Sequence, residues 1–126
     1  MGLTRLDHFV LTVTSVEAAA RFYARVLGFE IARYGDGRVA LRRGDLRINL
    51  HDEGHAPARR AADPHPGAAD FCYEVAGPMD AVLAHLEAEG VAVEEGPVTR
   101  NGARGEMTSV YFRDPDGNLV ELSVYR

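Results

Sequence analysis

The feature that most constrains this chain is that it repeats itself. LDHFVLTV (6–13) and ADFCYEV (69–75) both alternate apolar and polar residues, as strands with one greasy face do. After the first, Thr14 and Glu17 form a T-x-x-E capping box, and Ala19, Phe22, Tyr23, Val26 and Leu27 follow at helical spacing, with Gly28 at the C-terminal cap position. After the second, Pro78 occupies a first helical position, Met79, Val82, Leu83 and Leu86 form the apolar stripe, and Gly90 ends the helix. Phe9 to Phe71, Val13 to Val75 and Gly28 to Gly90 each differ by 62 positions. A shift that is constant across strand, helix and cap means two copies of one supersecondary unit.

The first copy continues through FEIARY, RVALRR and DLRINLH, joined by the glycine-bearing turns YGDG and RGD, so the unit reads βαβββ. Module one is expected at 4–51 and module two at 68–126. Residues 52–67 hold three prolines without apolar periodicity and predict a surface linker. The last two strands, SVYFRD and NLVELSVY, are displaced by eight residues beyond the constant shift, and 94–106 is expected to absorb them as a glycine-bearing loop. The fold class is α+β: two βαβββ modules forming a curved mixed sheet, a half-barrel cup with helices outside and a polar concave face.

At 126 residues the chain forms one domain with a proper core. A net charge of -5 excludes recognition of nucleic acid or an anionic membrane surface as the expected role. All fourteen basic residues are arginine, which excludes Schiff-base chemistry from lysine. The single cysteine, Cys72, excludes a disulfide framework, and the absence of an apolar signal core or membrane-length stretch predicts a cytoplasmic protein.

Position in the repeat becomes geometry. His8 and Asp70 fall on equivalent first strands, His51 and Glu121 on last strands taken as equivalent, and all four are expected to project into the cup. Two imidazoles and a carboxylate form a common donor set for a divalent metal ion such as Zn, Ni, Mn, Co or Fe(II). Each residue also has a structural reading. His8 and His51 suit solvated strand ends, and Glu121 suits a salt bridge with Arg47. Asp70 fits a fourth ligand, a base or a supporting residue. Cys72 reads as a small buried thiol, and His55, His65 and His85 as solvated. Arg47 and Asn49 share the face of His51 as candidate substrate contacts; Ser109 and Tyr111 line the cup or face outward.

These pieces resemble the vicinal oxygen chelate superfamily, which includes glyoxalase I, fosfomycin-resistance enzymes, bleomycin-binding proteins and extradiol dioxygenases. LDHFVLTV, RFYARVLGFEI and VYFRDPDGNLVELSVY carry the likeness over nearly the whole chain. RINLH and GAAD are similar to the glyoxalase-domain subgroup that includes virulence-associated bacterial proteins. The resemblance implies His8, His51 and Glu121 as metal ligands, with Asp70 where glyoxalase I has a histidine and His51 where it has a glutamate. It implies a lyase or isomerase of glyoxalase I type acting on a small vicinal-oxygen metabolite through an enediolate-like intermediate, with Glu121 or Asp70 moving the proton. An extradiol Fe(II) dioxygenase, a thiol transferase of the fosfomycin-resistance type and a non-enzymatic antibiotic-binding module are the rival implications. A homodimer is expected, since sheet edges invite a second chain.

Overall fold

The computed structural model describes residues 1–126, which divide into two compact units, Met1–Gly67 and Ala68–Arg126. In the first unit, β1 (Phe9–Val13), α1 (Val16–Leu27), β2 (Glu30–Tyr34), β3 (Arg38–Arg43) and β4 (Leu46–Asp52) follow in order. The sheet runs β1-β4-β3-β2, with β1 and β4 parallel and the other pairs antiparallel. One face is apolar because strand side chains alternate: Leu11, Val13, Val39, Leu41, Ile48 and Leu50 are all buried. α1 covers that face with Ala19, Ala20, Tyr23 and Val26. Each aliphatic side chain so buried contributes roughly 1.5–3 kcal/mol of transfer free energy.

The cap of α1 lies one residue later than the T-x-x-E pattern predicts. Ser15 is the N-cap, its Oγ accepting from the Ala18 amide at 3.1 Å. Glu17 is taken instead by Arg33, whose guanidinium donates to both carboxylate oxygens at 2.7 and 2.9 Å. Gly28 closes the helix at φ 73°, a left-handed conformation that suits glycine.

The second unit repeats the plan with β5 (Asp70–Glu74), α2 (Met79–Ala88), β6 (Glu95–Gly102), β7 (Gly105–Arg113) and β8 (Leu119–Tyr125). Its sheet runs β5-β8-β7-β6, again with a parallel first-to-last pair. Both units are therefore α+β, with four-stranded mixed sheets. Val110, Phe112, Val120 and Leu122 form the buried face, and Leu86 is the fully buried member of the α2 stripe. Pro78 stands just outside α2 as its N-cap rather than at the first helical position.

The loop expected at 94–106 is a hairpin. β6 and β7 pair antiparallel from Val98↔Ser109 to Gly102↔Gly105, with a register shift between Glu95 and Val98. Its exposure alternates along the whole strand, but the glycines and proline of EGPVTRNG mask that pattern in the sequence. No helix is long and apolar enough to cross a membrane.

Candidate active site

The second unit gathers its polar residues on the sheet face away from the apolar core. Cys72, Glu121, Tyr111 and Glu95 form one row across the sheet; Glu74, Ser123 and Ser109 begin the next. Glu121 is half-buried and takes part in no ion pair. Arg47, the cation offered by the sequence, instead donates from Nε to Asn49 Oδ1 at 2.9 Å and lies 5.3 Å from the centre of the Tyr34 ring. Neutral groups hold Glu121 in place. Ser123 Oγ donates to Glu121 Oε2 at 3.0 Å. With that proton committed, the buried Ser109 hydroxyl, 2.7 Å from Ser123 Oγ, is left to donate to it.

Tyr111 Oη accepts from Arg100 Nε at 3.1 Å, leaving its own proton for the neighbouring Glu121. Burial, and then the Glu121 carboxylate, hold the phenol above its ordinary pKa against the opposing pull of Arg100. Ser109 and Tyr111 thus share the face of Glu121. Cys72, expected as a small buried thiol, is exposed on the edge strand with its Sγ 3.1 Å from Ser123 Oγ. Partial desolvation, with Glu121 and Asp70 nearby, pushes the thiol up and keeps it neutral. Asp70 is exposed, level with Leu119 and diagonal to Glu121 across the β5–β8 pair. Such diagonal neighbours lie about 7–8 Å apart.

The turn that delivers Glu121 is built around Asp114. Its carboxylate accepts from the amides of Asp116 and Asn118 and from Asn118 Nδ2, and Asn118 Oδ1 accepts from the Ala69 amide at 2.9 Å. This clamp ties the end of the DPDG turn to the start of β5 and so fixes which residues face each other across β5 and β8.

In the first unit, Arg47, Asn49 and His51 share the corresponding face of β4. His51 stands beside Thr12. Desolvation first, and the Arg38 guanidinium second, push its imidazole below the ordinary value. His8 lies one residue before β1, its Nδ1 bonded to Asp7 Oδ2 at 2.7 Å, which leaves Nε2 free. A carboxylate on the far nitrogen is how metal-binding histidines are commonly oriented. His55 and His85 are exposed, as expected, and His65 is half-exposed, its ring bonded to the Pro66 carbonyl.

The ladders correct the equivalence of His51 and Glu121. Phe9 pairs with Ile48 and its copy Phe71 pairs with Val120, so β4 and β8 correspond with a shift of 72. Asn49 is therefore the counterpart of Glu121, and His51 that of Ser123. Extending the β1–β4 register by one residue sets His8 level with Arg47, four rungs from His51. At about 3.3 Å per rung that is about 13 Å, with side chains standing perpendicular to the sheet, so the two imidazoles of one chain do not share an ion. By β8 the second copy holds ten residues beyond the constant shift, nine of them ahead of β7 and one in the β7–β8 turn, where the count from the sequence gives eight. Within neither unit do three His, Cys, Asp or Glu side chains converge as a metal site. Asp7, Arg100 and the Asp114–Asn118 clamp were not read from the sequence; only DPDGN, as a turn rich in side-chain acceptors, signalled any of them.

The chain belongs to the Glyoxalase/Bleomycin resistance protein/Dioxygenase superfamily, whose family model matches residues 5–122. It is similar to the virulence protein STM3117 of Salmonella typhimurium, with 43% identity over 125 residues, covering 99% of this chain and 87% of that protein. The crystal structure of STM3117 superposes with a TM-score of 0.97, covering 100% of both chains. Lactoylglutathione lyase from Agrobacterium tumefaciens has a TM-score of 0.75 at 26% identity, covering 98% of this chain and 96% of that one. TnmS3, an antibiotic-binding protein from Streptomyces sp. CB03234, has a TM-score of 0.77 at 26% identity, covering 100% and 99%.

Proposed function

We propose that the protein is a metal-dependent lyase or isomerase of the glyoxalase type, acting on a small metabolite with two adjacent oxygens. The observation that carries this reading is the state of Glu121: a half-buried carboxylate in an apolar strand, held by neutral donors and left without a counter-ion. Burying such a charge is costly unless a cation completes it. In the second unit the donor of this reading is Glu121, with Asp70 beside it kept as the base. A carboxylate of this kind suits a borderline or hard divalent ion, with positions left for water or substrate. A bound ion of this kind supplies Lewis acidity, stabilising negative charge as it develops on the substrate oxygens.

The chain's own residues do the rest. Ser123, itself backed by Ser109, fixes one oxygen of Glu121, while Tyr111, kept protonated, donates to the same carboxylate. Asp70, exposed and diagonal to Glu121, is the group free to accept and return a proton. Likeness to a lactoylglutathione lyase supports this chemistry; equal likeness to an antibiotic-binding protein supports a sequestration module as the second reading.

Elemental analysis of freshly purified protein separates the two. The enzyme reading expects about one divalent ion per chain, lost in Glu121→Gln with the far-UV spectrum unchanged. Protein that stays metal-free after metal supplementation would overturn it in favour of the binder. Iron as the resident ion, with oxygen consumed on adding catechols, would move the assignment to a dioxygenase. We further propose a homodimer, formed where a second copy covers edge strands.

A further inference from the structure

We propose that the first unit binds a small organic carboxylate in the cleft where Arg38 and His51 face each other. The cleft has a volume of about 310 Å³, at the small end of metabolite-binding sites. It opens beside the C-terminal ends of β1 and β4 and is lined by Tyr34, Arg38, Asn49, His51 and the start of the following segment at His55 and Pro57.

The ladders explain why these residues meet. Tyr34 pairs with Arg38, and Val39 pairs with Leu50, so the next rung sets Arg38 against His51. Tyr34, Arg38, His51 and Thr12 thus form one row on one face of the sheet.

Arg38 is the unpaired cation that lines this cleft. Arg33 is held by Glu17, Arg43 by the Gly28 carbonyl and Arg47 by Asn49. Arg38 makes no hydrogen bond or ion pair, although it lines a cleft and stands against an imidazole. That imidazole is kept neutral by desolvation and by Arg38 itself, so it presents an N–H without adding a second charge. Asn49 gives its Oδ1 to Arg47, leaving its Nδ2 hydrogens for an acceptor. A guanidinium fork, an imidazole N–H and an amide N–H₂ in one cleft make a site for a planar, singly charged oxyanion.

The acidic groups of the cleft narrow the class further. Asp36 lies in the β2–β3 turn, and Asp52 is already committed, its Oδ1 accepting from the Gly54 amide at 2.8 Å beside His55. Their charge disfavours a dianion such as phosphate while leaving Arg38 free for one carboxylate. Tyr34, with Arg47 on its ring, offers a flat wall for an aromatic or unsaturated body. This inference does not rest on the metal reading, since binding at Arg38 is measured with or without an ion at Glu121.

Benzoate is the probe, titrated into the full-length protein while the histidine imidazole signals are followed by NMR. Saturable movement of the His51 resonance is expected, with binding weakened about tenfold or more in Arg38→Gln. Benzamide, the neutral isostere, and inorganic phosphate should both bind more weakly than benzoate. Arg38 is exposed, so the variant should fold, and its unchanged far-UV spectrum is the control. No saturation, equal affinity for benzamide or phosphate, or benzoate affinity untouched by Arg38→Gln would each overturn the proposal.

Discussion

Asn118→Ala tests the clamp on which the geometry around Glu121 depends. Asn118 is 1% exposed and Asp114 5%, so water is nearly excluded from both. The substitution removes a 2.8 Å bond from Nδ2 to the Asp114 carboxylate and a 2.9 Å bond from the Ala69 amide to Oδ1. A hydrogen bond to a charged group is worth about 1.5–3 kcal/mol and a neutral one about 1 kcal/mol. The Ala69 amide is stranded, adding a desolvation penalty of about 1 kcal/mol once partial access of water through the new gap is allowed for. The sum is about 3.5–5 kcal/mol, a large share of the 5–15 kcal/mol by which domains are typically stable. Urea unfolding followed by far-UV circular dichroism should show the loss as a lower midpoint at unchanged slope, and Tm should fall by about 13–19 °C. Hydrogen exchange at the Ala69 amide should accelerate more than exchange in β3 of the other unit. A loss below about 1 kcal/mol would refute the reasoning, because it would mean that the turn keeps its register without the clamp.

Two further substitutions probe the backbone and the titration of the site. Gly96 sits at φ 110°, where an added Cβ would lie 2.9 Å from Val110 Cα, so Gly96→Ala should cost more than about 2 kcal/mol in urea unfolding; a neutral result would mean that the register shift beside Glu95 is pliable. His51 is held below its ordinary pKa of 6.5, so as the pH falls through that value the unfolded chain takes the proton first and stability declines until the folded value is passed. His51→Gln should therefore flatten the stability profile between neutral pH and that lower value, and parallel profiles would refute the assignment.

Much of this architecture is legible in the residues, for identifiable reasons. β4 alternates because one face is buried under α1, and Gly28 announces the end of that helix because the left-handed cap suits it. β6 was not legible: its glycines and proline serve the register shift and the turn, and those residue types read as loop. The site was legible as a set of polar positions on one face, but not as a set of neighbours. Asn49, not His51, answers to Glu121, because register is fixed by hydrogen-bonded ladders and the two copies differ in hairpin length. Asp7 and Arg100 were missed because a short-range or cross-strand partner leaves no periodic trace.

The parallel pairing of first strand with last strand means that each sheet is closed by its own chain segment. Between Gly54 and Ala68 no bond of either ladder is made, so a nick there would cut neither sheet. The two copies are consequently free to diverge as separate experiments on one scaffold. At a single rung, one copy has become an amide that steadies an arginine and the other a carboxylate held by neutral donors. Duplication has turned one structural position into two different chemical roles.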